Sequence, residues 1–186
     1  MSQETHLAVH VPAYAGTLLP QPRDRLRQLR KHLLESLRAE RQMRDRAAAV
    51  GPAAPEPPAP VGEIAPTACA LCQGWCCSKG GTHAYLDERT MARVRHARPE
   101  LDAWGILRLY TRAAADPAYA GSCVFHGAQG CTLDRSLRSD LCNAYFCSGL
   151  ASLVKQADVP GRVVLTAAKG TIIRTSVMTL GGAAHQ

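Results

Sequence analysis

The sequence is poor in aromatic residues and has no long apolar run. Phe, Tyr and Trp make up 5% of its 186 residues, and the hydrophobic 46% is rich in alanine. Because alanine buries little area, we expect a small core that gains stability from bound ions or cross-links. No segment approaches the roughly 18 apolar residues of a membrane span, so a membrane is not an expected partner.

A secretory leader is not visible either, since the start, Met-Ser-Gln-Glu-Thr-His, has no basic stretch followed by an apolar one. We therefore expect a reducing, cytoplasmic location. Clustered thiols in that compartment are more often metal ligands or redox centres than disulfides. Four disulfides are the competing interpretation, and they would require an oxidising compartment.

Cysteine is the residue that this chain has in quantity, with eight copies between positions 69 and 147. A Cys-x2-Cys step lets two sulfurs face one ion at about 2.3 Å, and the downstream cysteines can supply further ligands. We predict a metal site with eight thiolate ligands: Cys69, Cys72, Cys76, Cys77, Cys123, Cys131, Cys142 and Cys147.

The vicinal pair Cys76 and Cys77 bears on the number of ions. Side chains of adjacent residues diverge on a helix and alternate in a strand, so this pair predicts two separate ions or two corners of a polynuclear centre. Either two four-thiolate sites result, or His83 or His126 replaces some of the cysteines. Both histidines can equally be ordinary polar loop residues.

The later cysteines form two further pairs. Cys142 and Cys147 would face one side if they lay on one helix, and a Gly-rich loop between Cys123 and Cys131 could fold back and bring its ends together. The spacings match neither bacterial nor plant-type ferredoxins. Thiolates suit zinc, copper(I) and iron–sulfur centres alike, so the pattern leaves the metal open.

The positive charge, +7 overall, is concentrated between Gln21 and Arg46, where nine Lys and Arg stand against four Asp and Glu. Leucines at helical spacing predict an amphipathic helix from Arg23 to about Val50. We expect a semi-independent basic arm that docks through its leucines or contacts a protein partner. No aromatic residue is interleaved with the charges, so base stacking lacks a platform, and the sequence argues against nucleic acid as a partner.

The remaining chain divides by composition and periodicity. Capping and periodic signals predict helices from Asp87 to about Ala97 and from Pro99 to about Ala115, the second with Trp104 and Tyr110 in the core. Six prolines predict an irregular linker over residues 51–66. The predicted segments are a flexible start with the basic helix (1–50), the linker (51–66), a cysteine-cluster metal-binding domain (67–150) and a C-terminal β-hairpin extension (151–186). The predicted fold class is α+β, a small irregular cysteine-rich domain with short helices.

This pattern resembles the CxxCxxCC family, whose domain is described as zinc- or iron-chelating. The resemblance covers about residues 67–150. Its segments are Cys69-Ala-Leu-Cys72-Gln-Gly-Trp-Cys76-Cys77, Gly80-Gly81-Thr82-His83, Cys123-Val-Phe-His126, Gly130-Cys131-Thr-Leu-Asp and Arg138-Ser-Asp-Leu-Cys142-Asn-Ala-Tyr-Phe-Cys147. One extra residue precedes the vicinal pair, and Ser139 and Asn143 stand where the family usually has Pro and Arg. The resemblance implies chelation by the eight cysteines and no particular reaction.

The predicted function is therefore metal binding, with zinc or iron, or an iron–sulfur cluster, held by the cysteines. An iron-dependent redox or modifying enzyme, with an open coordination position, is the alternative. A weaker alternative is a nucleic-acid-associated adaptor that uses the basic helix.

Overall fold

The structure is a computed structural model that describes residues 6–45, 57, 59–156 and 161–180. Its helices are α1 (Arg23–Asp45), α2 (Val61–Cys72), α3 (Glu88–Ala97), α4 (Ala103–Ala113), α5 (Asp140–Ala144) and α6 (Ser148–Ala151). Its strands are β1 (His6–Pro12), β2 (Leu18–Leu19), β3 (Ala118–Tyr119), β4 (His126–Gly127), β5 (Gly130–Cys131), β6 (Arg162–Lys169) and β7 (Ile172–Thr179). The predicted α+β class is confirmed.

The chain forms two compact units. The sheet unit contains the described residues 6–15, 57, 59–75, 146–156 and 161–180, and the helical unit contains 16–45 and 76–145. The predicted cysteine domain over 67–150 thus contributes residues to both units. Each unit buries its own apolar cluster, and each cluster draws on segments far apart in sequence.

Three strands build the sheet unit in the order β1-β6-β7, with β1 parallel and β7 antiparallel to β6. The predicted C-terminal hairpin is confirmed. The expectation of a flexible start is wrong for β1, because Val9 and Val11 alternate with exposed residues and are buried beside Val163 and Leu165. This alternation of apolar and polar residues is the ordinary pattern of a half-buried strand.

Two helices of the sheet unit share the apolar cluster of the sheet. Helix α2 contributes Ile64 and Ala68, both fully buried, so the predicted irregular linker is wrong for residues 61–66. The free energy gained by burying this apolar face exceeds the cost of the one backbone hydrogen-bond donor that Pro66 removes. Helix α6 meets β1 so closely that a Cβ on Gly149 would lie 1.9 Å from the carbonyl oxygen of His10.

The helical unit is organised around α1, which is not a separate arm. Leu29, Leu33 and Leu37 of α1 are buried in one cluster with residues of α3 and α4, among them Met91 and Tyr110. The leucine periodicity was thus a core signal, as expected of an amphipathic helix. Residues 46–50, where the helix was predicted to end, lie outside the described residues.

Capping side chains set where the next two helices begin. Asp87 accepts a hydrogen bond from the backbone N–H of Thr90 at 2.8 Å, which confirms the predicted start of α3. Asp102 caps α4 in the same way, so α4 begins later than predicted. The core assignment is right for Tyr110 and wrong for Trp104, which is 64% exposed in the first turn of α4. No helix in the described part of the chain is long and apolar enough to cross a membrane.

Candidate metal centre

The vicinal cysteines lie on a 3₁₀ turn, Trp75–Lys79. Three donors converge on the carbonyl oxygen of Cys77: the backbone N–H of Gly80 at 3.1 Å, the backbone N–H of Cys123 at 2.9 Å and the hydroxyl of Ser122 at 3.0 Å. Two of the three come from another part of the chain. The turn is therefore tied to the segment that carries Cys123.

Residues outside the cysteine pattern keep these two loops together. The guanidinium of Arg25, on α1, donates to the carbonyl oxygens of both Gly81 and Ser122. Gly80 permits the close approach, since a Cβ there would lie 2.8 Å from both Cβ and Sγ of Cys123. Sequence reasoning missed Arg25 and Ser122, because no motif distinguishes a structural arginine from the others in a basic helix.

Cys131 lies on a tight hairpin formed by β4 and β5. His126 pairs with Cys131 and Gly127 with Gly130, and Gly130 has a φ of 103° that favours glycine. The prediction that the Gly-rich loop folds back is confirmed. Its second strand ends at the cysteine.

The thiol of Cys77 lies within hydrogen-bonding reach of the sulfur of Cys76 and of that of Cys131. The single proton of the Cys77 thiol is shared with these two sulfurs, and this hydrogen bonding lowers the pKa of Cys76 to about 7 and that of Cys131 to about 6. The same bonds raise the pKa of Cys77. The sulfurs of Cys76 and Cys77 approach each other, contrary to the expectation that vicinal side chains diverge, and Cys77 alone of the two is hydrogen-bonded to Cys131. Cys131 is therefore the cysteine of this group that ionises most readily, followed by Cys76.

Two further cysteines of the helical unit lie within electrostatic range of this group. Loss of water around the sulfur is the main cause that raises the pKa of Cys123, to about 12, and that of Cys142. Negative charge at Cys131 adds to the effect for both. The thiol of Cys142 also donates to the carbonyl oxygen of Ala84 at 3.7 Å.

Arg93 positions the segment that leads to Cys142. Its guanidinium donates to the carbonyl oxygens of Ser136 and Arg138, both at 2.5 Å, and to the carboxylate of Asp140 at 3.2 Å. Asp140 is the first residue of α5. Arg93 is a second structural arginine that the sequence pattern did not reveal.

The remaining cysteines belong to the sheet unit. Cys69 and Cys72 lie one turn apart at the end of α2, which stops where Gln73 adopts a left-handed conformation. The backbone N–H of Trp75 donates to Sγ of Cys72 at 3.3 Å. Such N–H···S bonds are common at metal-bound thiolates, whose electronic properties they tune.

Cys147 does not share a helix with Cys142, which corrects the predicted pairing. Helix α5 ends at Ala144, Tyr145 is extended, and Cys147 is the extended N-cap residue of α6. Its side chain packs against the apolar cluster of the sheet unit. The helical premise for this pair was therefore wrong.

The two candidate histidine ligands are engaged in hydrogen bonds. The backbone N–H of Tyr85 donates to Nδ1 of His83 at 3.0 Å, so the proton of the neutral ring is on Nε2 and no ring lone pair remains. His126 is fully buried, with Nδ1 2.6 Å from the Ser122 hydroxyl. His126 therefore supports the Cys77 turn through Ser122.

All eight cysteines are among the described residues, and no disulfide joins any two of them. In the described part of the chain, no group of three or more His, Cys, Asp or Glu is arranged as the ligand set of a metal ion. Comparisons with protein families, with curated proteins and with solved structures found no match to this chain. The family resemblance thus rests on the cysteine pattern alone.

Proposed function

We propose that this protein is a metal-binding protein that chelates zinc or iron through cysteine thiolates. The observation that supports it best is that the Cys77 thiol is hydrogen-bonded both to Cys76 and to Cys131. Metal ligation requires thiolates, and the pKa of two of these three groups is lowered toward or below neutrality. An ion would displace the one shared proton from Cys77.

The surrounding residues fit this donor set. Cys123 and Cys142 lie within electrostatic range and could complete the ligands in the helical unit, and Arg138 offsets part of the negative charge at Cys131. Cys69, Cys72 and Cys147 belong to the sheet unit and are candidate ligands within that unit. A bound ion would cross-link the turn that carries Cys77 to the hairpin that carries Cys131, which is the chemistry of a structural site.

We place the protein in a reducing cytoplasm, where thiols of this kind stay available to metals. The alternative, an iron-dependent redox or modifying enzyme, requires an open coordination position or a non-cysteine ligand. The hydrogen bond at Nδ1 of His83 favours the first function, since this ring has no lone pair to offer.

The test is the metal and acid-labile sulfide content of protein purified under anaerobic conditions. We expect a stoichiometric metal in the wild type, its loss or strong reduction in Cys77→Ser, and its retention in Ser78→Ala, a neighbouring change in the same turn. Equal metal content in all three proteins, or none in the wild type, would overturn the proposal. Acid-labile sulfide would identify an iron–sulfur cluster, and its absence beside zinc would identify a zinc site.

A further inference from the structure

The outer face of α1 carries a row of arginines that metal binding does not use. The row consists of Arg23, Arg27, Arg30, Arg38 and Arg41, all exposed. At 100° per residue these five positions fall within about 80° of the helix circumference. Leu34 is the only other residue within the row, and it is half-buried.

These arginines differ from the arginines that stabilise the fold. Arg25 of the same helix holds two loop carbonyls, and Arg95 of α3 pairs with buried Glu40 at 3.1 Å. None of the five forms a hydrogen bond or ion pair with another described residue. Two exposed acidic residues of α1 lie closest to the row, Asp24 beside its first turn and Asp45 one turn beyond Arg41, whereas Glu35 lies further around the helix and pairs with Lys31 at 4.0 Å. Neither Asp24 nor Asp45 forms an ion pair with the five arginines, so the row keeps a net positive charge within the described chain.

The row is also long and rigid. From Arg23 to Arg41 it extends about 27 Å at 1.5 Å per residue. The opposite face of α1 is fixed in the core through Leu29 and Leu33. The arginines are thus presented on a straight element that packing holds in place, without the ordering cost of a flexible tail.

We propose that this arginine row binds the phosphate backbone of duplex nucleic acid without sequence preference. The planar guanidinium matches phosphate oxygens in a two-point hydrogen bond. A duplex rises 3.4 Å per base pair, so the row covers about eight base pairs. Contacts limited to phosphates carry no sequence information.

Other polyanions fit the row less well. An amphipathic helix enters a lipid surface through its apolar face, and here that face is buried. A single strand is bound largely by stacking on aromatic side chains, and the row has none. Duplex binding needs no stacking, so the aromatic deficit that argues against nucleic acid in the sequence does not apply to this ligand. An acidic protein remains as the competing partner that the experiment must separate.

The experiment is fluorescence anisotropy of a labelled 20-base-pair duplex of mixed sequence, titrated with the full chain between 50 and 200 mM salt. Five phosphate contacts predict a log–log salt slope of about −4.5, or roughly a 500-fold loss of affinity over this range. Arg27→Gln with Arg30→Gln should reduce the slope to about −2.7. The control removes two exposed arginines of α4 in the same unit, Arg108→Gln with Arg112→Gln, and should leave the slope near −4.5.

Three outcomes would overturn the proposal. The first is the absence of duplex binding at 50 mM salt. The second is an equal loss of affinity in both double variants, which would indicate an effect of total charge rather than of the row. The third is tighter binding of a poly-glutamate peptide than of the duplex at the same salt, which would assign the row to an acidic protein.

Discussion

The two units hold their cysteines in different ways. In the sheet unit, Cys69, Cys72 and Cys147 lie at the ends of helices that pack on a sheet with a continuous hydrogen-bond ladder. In the helical unit, most of the cysteines lie on a 3₁₀ turn or on a hairpin whose strands have two residues each. Hydrogen bonds from side chains connect these loops to the rest of the unit. These loops are held by separate hydrogen bonds rather than by a continuous ladder, so we expect an added ion to contribute most to the helical unit.

Metal removal should therefore produce the largest difference between the units. After chelation under anaerobic conditions, we expect the amides of residues 77–81 and 123–131 to lose nearly all protection from hydrogen exchange, because metal-binding free energy is folding free energy. The amides of β6 and β7 should keep their protection. Equal loss in both regions, or loss in neither, would contradict the contrast drawn between the two units.

Glu40→Ala should destabilise the helical unit by about 3–5 kcal/mol, since it removes the partner of a largely buried charge. Glu40 is 2% exposed and accepts from Nε and Nη2 of Arg95 at 3.1 and 3.3 Å. Urea unfolding followed by the exchange of α3 amides measures the change. The matched control, Glu35→Ala, breaks only the exposed pair with Lys31 and should cost less than about 0.5 kcal/mol.

Gly149→Ala should destabilise the sheet unit by about 3 kcal/mol, because the new methyl would meet backbone, the carbonyl oxygen of His10. The loss should appear as reduced exchange protection in β1 and β6. We expect the helical unit to keep its metal in this variant, whereas changes in the cysteine loops should alter metal binding. A loss of all metal would show that the sheet unit controls the site.

Gly80→Ala should reduce the free energy of unfolding less than Glu40→Ala or Gly149→Ala does, by about 1–3 kcal/mol. Its main effect should be on how the metal is ligated. Its methyl would meet both Cβ and Sγ of Cys123, so the sulfur would rotate away and the backbone that carries Cβ would shift slightly. We expect a changed charge-transfer or X-ray absorption spectrum at retained fold, as judged by circular dichroism. An unchanged spectrum would exclude Cys123 from the ligands.

Local signals in the sequence were enough to predict several elements. The cap at Asp87, the β-branched runs of the hairpin and the leucine stripe of α1 each act within a few residues, where sequence spacing determines geometry. The strand β1 carried the same kind of signal in its alternating valines, and the polar start of the chain obscured it.

The errors concern features that tertiary structure decides. Pro66 suggested a linker, yet the buried face of α2 keeps residues 61–66 helical. The hydrogen bond between Cys77 and Cys131 joins the turn to a hairpin distant in sequence, which adjacent-residue geometry does not include. Arg25 and Arg93 hold loops through carbonyl oxygens, and a sequence does not show which carbonyls lie within reach.

The central claim is that cysteine thiolates of the helical unit bind a metal. X-ray absorption at the edge of the metal that copurifies anaerobically tests it most directly, in the wild type and in Cys131→Ser. We predict sulfur scatterers, at about 2.3 Å if the metal is zinc, and a loss of sulfur ligation or of the metal itself in the variant. A metal ligated only by oxygen and nitrogen, or an identical sulfur shell in both proteins, would contradict it.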